Sequence, residues 1–287
     1  MHWTQRRERF RAILAGHACV YPASVFDPIS ARIAEDLGFE MGMYAGSTAS
    51  LAVLGAPDIV LLTLSEFAAQ ALRIARAGTL PFLVDADHGY GNALNVTRTV
   101  EELETAGVAG LTIEDTLLPT AYGGGGRAQL ISIEEGVGKM RAALAGRQDP
   151  SLVIVGRTSA AAISGIEDAV RRITAYEAAG VDAVFLAGIT TRAEIEAAAA
   201  AVKCPIILGT LKPSVADRAE LAHMGVRVCL QGHQPFMAAI QAIHDTMKAL
   251  REGTPADALP GLAGEALMKQ VTRDAAYRDA MRRFLGG

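Results

Sequence analysis

A closed (β/α)₈ TIM-type barrel, with an N-terminal helix and extra C-terminal helices, is the fold this sequence predicts. Three observations carry the prediction. An Ala-rich helical stretch, a glycine and a short apolar run recur along the chain, as at Leu37-Gly38-Phe39, Ala106-Gly107-Val108, Ala179-Gly180-Val181 and Met224-Gly225-Val226. Eight such apolar runs alternate with helical patterns, which implies a parallel sheet that closes on itself. Polar residues gather behind the C-terminal ends of the runs, whereas the N-terminal ends are mostly apolar or Gly/Pro.

Each element has its own reason. A glycine just past a helix takes the left-handed cap and turns the chain into the next strand. The run after it is too short for a helix and apolar throughout, as a parallel strand covered on both faces requires. The strands fall near 18–23, 40–46, 81–86, 109–114, 152–157, 182–187, 205–210 and 226–231. Helical patterns lie near 27–37, 65–78, 95–106, 132–146, 165–179, 191–202, 214–224 and 234–251. Residues 3–16 read as a helix at the bottom of the barrel. Gly253-Thr254-Pro255 and Leu259-Pro260-Gly261 then break the pattern, and 263–284 read as further helix. The chain therefore divides into a barrel at 1–252 and a helical extension at 253–287 that has no strand to cover and is expected to pack on a neighbouring subunit. A doubly wound open sheet would need a Gly-rich phosphate turn after the first strand, and Tyr21 to Pro28 does not supply one.

Composition excludes several classes. A net charge of −4 without a basic run argues against nucleic acid and acidic membrane surfaces. No apolar stretch reaches bilayer-spanning length, and the charged Met1–Phe10 segment lacks the apolar region of a signal peptide. Cys19, Cys204 and Cys229 are odd in number and widely spaced, so they read as reduced thiols of a cytoplasmic protein.

In this fold chemistry sits at the C-terminal strand ends. There the chain carries Ser24 and Asp27, Gly46-Ser47-Thr48, Asp85-Ala86-Asp87-His88, Glu114-Asp115, Arg157-Thr158 and Gln231-Gly232-His233. Asp85 and Asp87 are two apart on a strand and share a face. Glu114 ends the next strand, and Asp58 follows strand 2 within reach of them. Acidic groups crowded in one mouth are either protonated or gathered around a cation. Oxygen donors without clustered Cys or His favour Mg²⁺, with Mn²⁺ second, over Zn²⁺. The bland alternative makes Asp87 and Glu114 helix caps or surface ion pairs. Arg157, ending an otherwise apolar strand, suits a carboxylate or phosphate, or else a structural acid such as Glu114. His233 either donates to a substrate oxygen or bonds a helix terminus, and His88, of opposite parity to the aspartates, is expected to point away from them. The Gly123–Gly126 run suggests a lid over the mouth.

The stretch Val84-Asp85-Ala86-Asp87-His88-Gly89-Tyr90-Gly91-Asn92, followed by Gly110-Leu111-Thr112-Ile113-Glu114-Asp115, resembles the isocitrate lyase / phosphoenolpyruvate mutase superfamily. Gly46-Ser47, Pro57-Asp58 and Arg157-Thr158 fall in the matching order, so the resemblance runs from Ser24 through His233. It implies that Asp85 binds Mg²⁺ directly while Asp58, Asp87 and Glu114 hold its waters. It implies further that Ser47, with Thr48 beside it, and Arg157 bind a 2-oxo acid, and that the enzyme is a homotetramer exchanging C-terminal helices. The segment Thr116–Gly123 carries no Lys, Cys or His, unlike the lid of the C–C lyases in this superfamily. With His233 after strand 8, it most resembles the oxaloacetate decarboxylase branch, in which oxaloacetate yields pyruvate and CO₂ through a metal-stabilised enolate. Ser159 and Leu211 depart from the pattern of relatives, which carry an acidic or amide residue and, in that branch, a Tyr. The alternatives are a C–C lyase or hydrolase acting on a 2-methylisocitrate-, dimethylmalate- or oxaloacetate-like acid, and a non-catalytic dicarboxylate-binding barrel. A Schiff-base aldolase would need an inward Lys, and none of the five lysines lies in an expected strand.

Overall fold

The computed structural model describes residues 3–120, 122–123 and 126–286. Eight parallel strands form one sheet in sequential order: β1 Ala23–Ser24, β2 Gly42–Tyr44, β3 Phe82–Asp85, β4 Gly110–Glu114, β5 Val153–Thr158, β6 Ala183–Leu186, β7 Ile206–Leu208 and β8 Val226–Cys229. A parallel bridge between Val20 and Val228 joins the first segment to the last and closes the barrel. It is held by Val20 N–H on Arg227 O at 2.8 Å and Cys229 N–H on Val20 O at 3.0 Å. The expected first strand, 18–23, is thus split. Pro22 has no N–H to give the ladder, so pairing stops at Val20 and resumes at Ala23.

The helices are α1 Thr4–Ala15, α2 Pro28–Asp36, α3 Gly46–Ala49, α4 Leu64–Ala77, α5 Ala93–Thr105, α6 Ile133–Gly146, α7 Ala160–Ile163, α8 Ile166–Ala179, α9 Arg192–Ala201, α10 Arg218–His223, α11 Gln234–Arg251, α12 Glu265–Thr272 and α13 Asp274–Leu285. Several start on capping boxes that the sequence spells out, such as Thr63/Glu66 on α4, Asn92/Asn95 on α5 and Thr191/Glu194 on α9.

Strand parity sorts the core into two layers. Met43, Leu83, Val153, Val155, Phe185, Ile207 and Val228 point inward and pack together. Val84, Leu111, Ile113, Ile154, Val184 and Leu208 point outward and pack in a second cluster with helix residues such as Phe67, Val96, Met140 and Tyr176. The expected bottom helix is α1: its Phe10 is fully buried in the inward cluster, and a Cβ on Gly110 would stand 2.7 Å from the Phe10 ring. Arg6 and Arg7 of α1 are buried too. Their guanidinium groups donate to the main-chain oxygens of Ala75, Gly107, Val108 and Glu104 at 2.6–3.1 Å, which satisfies carbonyls at and just beyond the ends of α4 and α5.

The chain clusters into two compact units, Met1–Gly232 and His233–Gly287. The sequence reading drew its boundary later, at 252/253. The difference is α11, which clusters with α12 and α13 because none of its residues is buried. Cys19 and Cys229 are buried free thiols and Cys204 is half-buried. Among the described residues, no helix is long and apolar enough to cross a membrane.

Candidate active site

The mouth of the barrel is built on the ends of β3, β4 and β5. Asp85 is the last residue of β3, and its inward parity matches that of Leu83. Its Oδ1 accepts from the Thr112 hydroxyl at 3.0 Å and from Asp87 N–H at 3.3 Å, and its other oxygen accepts from Arg157. Glu114 and Arg157 are register partners on adjacent strands, with Arg157 Nε 3.3 Å from Glu114 Oε2. The guanidinium lies 5.2 Å from the centre of the Phe185 ring, so one apolar face of β6 supports it. Of the two roles the sequence left open for Arg157, the structure shows the pairing with acids, Asp85 and Glu114, at the mouth.

Asp87 reaches the mouth by a different route from the one strand parity suggested. β3 has ended, and Asp87 has a left-handed backbone, φ 47°, which Asp tolerates better than most residues. Gly89, Tyr90 and Gly91 also have positive φ, so the chain coils tightly before the Asn92 cap of α5. The motif glycines are steric necessities here. A Cβ at Gly89 would stand 2.4 Å from Val96 Cγ2, and one at Gly46 would stand 2.9 Å from Asp87 Oδ1. Glu114 N–H donates to the Asp87 carbonyl at 2.8 Å, which ties the two acidic positions together through the main chain.

The charges in this mouth do not balance. Burial, followed by repulsion from Asp85, Glu114 and Asp58, pushes the Asp87 carboxyl well above the usual carboxylate range, against the pull of Arg157. Burial also raises Glu114, with Arg157 opposing and Asp85 and Asp115 adding to the rise. Burial alone would lower the Arg157 guanidinium, but Asp85 and Glu114 push it up. Four carboxylates act on one another against one guanidinium, which is a donor set of hard oxygens suited to a divalent cation. Asp58 itself is exposed, in the loop after β2. Among the described residues no three Asp, Glu, His or Cys side chains form a close ligand cage. The acids share the mouth with Arg157, which lies between Asp85 and Glu114.

Ser47 is half-buried at the start of α3, next to the Gly46–Asp87 contact. Thr48 is 1% exposed, and its hydroxyl donates to Ala45 O at 3.0 Å, closing the β2–α3 turn. His88 is buried, and its imidazole is held down to about 4 by burial and by Lys139. His233 precedes α11 in the second unit and makes no side-chain cap hydrogen bond there. Of the Gly123–Gly126 lid, Gly124 and Gly125 lie outside the described residues. Its neck is described: Thr116 bridges Leu130, Leu117 N–H donates to Gln129 O at 2.8 Å, and Ile131 N–H donates to Asp115 O at 2.9 Å.

Sequence reasoning missed the layer behind the mouth. Lys139 of α6 is 3% exposed, and its ammonium donates to His88 O at 2.9 Å, holding the coil that carries Asp87. Arg172 and Tyr176 of α8 hold Asp115. A signal existed. Lys139 lies on the buried stripe of Gly136, Met140 and Ala143, and Arg172 on that of Ala169, Ile173 and Tyr176. A cation on an apolar stripe implies a buried partner.

The family model for phosphoenolpyruvate phosphomutase matches residues 10–251. A Bradyrhizobium diazoefficiens protein named oxaloacetate decarboxylase is 62% identical over 275 residues, covering 96% of this chain and 95% of its own. Among solved structures, oxaloacetate acetylhydrolase in complex with 3,3-difluorooxalacetate superimposes with a TM-score of 0.86 at 27% identity, covering 99% of this chain and 98% of that one. Phosphonopyruvate hydrolase in complex with oxalate and Mg²⁺ superimposes with a TM-score of 0.84 at 29% identity, covering 98% and 99%. With the family model spanning nearly the whole barrel and a whole-length relative at this identity, the chain belongs to the phosphoenolpyruvate phosphomutase family.

Proposed function

We propose that this chain is a carboxy-lyase that converts oxaloacetate to pyruvate and CO₂. The observation that carries the reading is the whole-length likeness to a protein named oxaloacetate decarboxylase. The Arg157-centred acidic mouth supports it, since one cation among carboxylates suits a 2-oxo diacid held together with a metal ion. Asp85, Asp87, Glu114 and Asp58 would hold a divalent cation, Mg²⁺ first and Mn²⁺ second. When bound, such an ion supplies Lewis-acid polarisation of the C2 carbonyl.

The chain's own residues do the rest. Arg157 grips the C1 end of the substrate. Gripping the departing C4 carboxylate instead would stabilise the ground state and oppose loss of neutral CO₂. The C3–C4 bond breaks, its electron pair moves toward the C2 oxygen, and an enolate forms. Ser47, through its N–H and hydroxyl, stabilises the growing negative charge, a donor role worth about 10²–10³ in rate. The proton that completes pyruvate reaches C3 from water. The reaction belongs in the cytoplasm, where the free thiols at Cys19, Cys204 and Cys229 stay reduced.

A second reading, hydrolysis of oxaloacetate to oxalate and acetate, is favoured by the likeness to oxaloacetate acetylhydrolase. Incubating the protein and Mg²⁺ with a panel of 2-oxo and 2-hydroxy diacids, with products identified by NMR, separates the two. Pyruvate from oxaloacetate, lost in Asp85→Ala, is the expected result. Oxalate as product, or full activity in Asp85→Ala, refutes the proposal.

The second unit supports a self-association reading. Met237, Ile240, Ile243 and Met247 lie three or four residues apart on α11 and are 47–67% exposed. We place a second copy of the chain against this stripe, within a homotetramer.

A further inference from the structure

Asp115 directly follows Glu114 and faces the other way. Glu114 ends β4 toward the mouth, where it meets Arg157. Asp115 turns outward into the helix layer and is completely buried. There its Oδ2 accepts from the Tyr176 hydroxyl at 2.6 Å and from Arg172 at 3.0 Å. The same Arg172 nitrogen donates to Ile131 O at 2.9 Å, while Ile131 N–H donates to Asp115 O at 2.9 Å. The far side of the guanidinium is held by Asp168 at 2.9 Å. Both sides of the neck that leaves β4 are therefore fixed by one side chain of α8.

The packing around Tyr176 is shaped for it. A Cβ on Gly136 of α6 would stand 2.5 Å from the Tyr176 hydroxyl. One on Gly156, the residue before Arg157 on β5, would stand 3.0 Å from Tyr176 Cβ. Two elements thus give up side chains so that a phenol can reach Asp115. A buried ion pair of this kind is a weak stabiliser, because well-packed apolar residues of similar volume serve stability as well or better. What it provides is a single allowed position for the strand end.

We infer that Asp115, Arg172 and Tyr176 are positioning residues that fix Glu114 for cation binding. They act through the main chain from the opposite face of β4. The inference rests on the metal-dependent reading above. Groups behind a metal site that orient its ligands typically contribute about 10- to 100-fold in affinity.

Tyr176→Phe is the cleanest probe, since it removes one hydroxyl and keeps the ring in its cradle. Mn²⁺ binding is measured by calorimetry without substrate, for wild type, Tyr176→Phe, Glu114→Gln, the double variant and Asp85→Ala. Tyr176→Phe is expected to bind Mn²⁺ about tenfold more weakly, with kcat at saturating Mn²⁺ nearly unchanged. The double variant is expected to bind no more weakly than Glu114→Gln alone, because the two act as one unit. Wild-type affinity in Tyr176→Phe, or losses that add in full in the double variant, overturn the inference. If Asp85→Ala still loses Mn²⁺ in that case, the metal reading survives without it. A wild-type protein that binds no Mn²⁺ removes both.

Discussion

Arg157 on β5 hydrogen-bonds the carboxylate of Asp85 on β3, reaching across the end of the strand between them. One guanidinium thereby spans three strand ends, since Glu114 of β4 lies 3.3 Å from its Nε. A lysine cannot do this: its ammonium is a point donor without the planar fork. Arg157→Lys is therefore expected to lower kcat/KM for oxaloacetate by about 10²-fold, the scale of losing one charge-stabilising donor. Steady-state kinetics at saturating Mg²⁺ measure it, and a loss under threefold would show that Arg157 is only structural.

The coil after β3 makes a sharper steric prediction. Gly89 has φ 79°, and a Cβ there would lie 2.4 Å from Val96 Cγ2. Gly89→Ala pays a left-handed backbone cost of about 1–2 kcal/mol and an overpacking cost of about 1–3 kcal/mol. Adding Val96→Ala removes the clash but not the backbone strain. Urea midpoints should show the double variant recovering part of the loss relative to the sum of the single changes. Purely additive losses would mean that the coil relaxes away from Val96.

Much of this was legible in the sequence, for identifiable reasons. The helix–Gly–strand repeat marked the strands after Gly38, Gly107, Gly180 and Gly225, and two-sided apolar runs marked the others, because both are local features. Asp85, Glu114 and Arg157 were legible because they lie at the C-terminal ends of strands, where parity sets direction. Asp87 was harder, since its entry to the mouth depends on a left-handed residue after the strand has ended. The Thr48 bond to Ala45 was not legible, because a hydroxyl beside a turn can satisfy its own main chain as easily as a ligand. Lys139 and Arg172 went unread because their partners, His88 O and Asp115, are 51 and 57 residues away.

Acid should loosen the anchor of Arg172 in a defined window. Burial alone would raise the Asp168 carboxyl, but hydrogen bonds from Ser164, Arg172 and Arg171 override it and hold it down to about 2, from an ordinary 3.8. The folded value is the lower one, so as pH falls the unfolded chain takes up the proton first. The stability Asp168 contributes is complete above about 4 and is lost as pH drops from 3.8 toward 2. Denaturant midpoints for wild type and Asp168→Asn should therefore converge over that window. A gap that stays constant from pH 5 to pH 2 would rule out the ionised pair as its source.

The C-terminal unit offers the remaining test. None of the residues of α11 is buried, and Met281, Phe284 and Leu285 of α13 are 55–75% exposed. Helices with apolar stripes uncovered to this extent are poorly stable alone and find cover by association. Residues 253–287 carry α12 and α13, so deleting them removes part of that surface while leaving all eight strands intact. Light scattering coupled to size exclusion is expected to report a smaller assembly than that of the full chain. If the truncated protein keeps the subunit number of the full chain, α12 and α13 do not carry the association, and the contact must be sought on α11 or on the barrel.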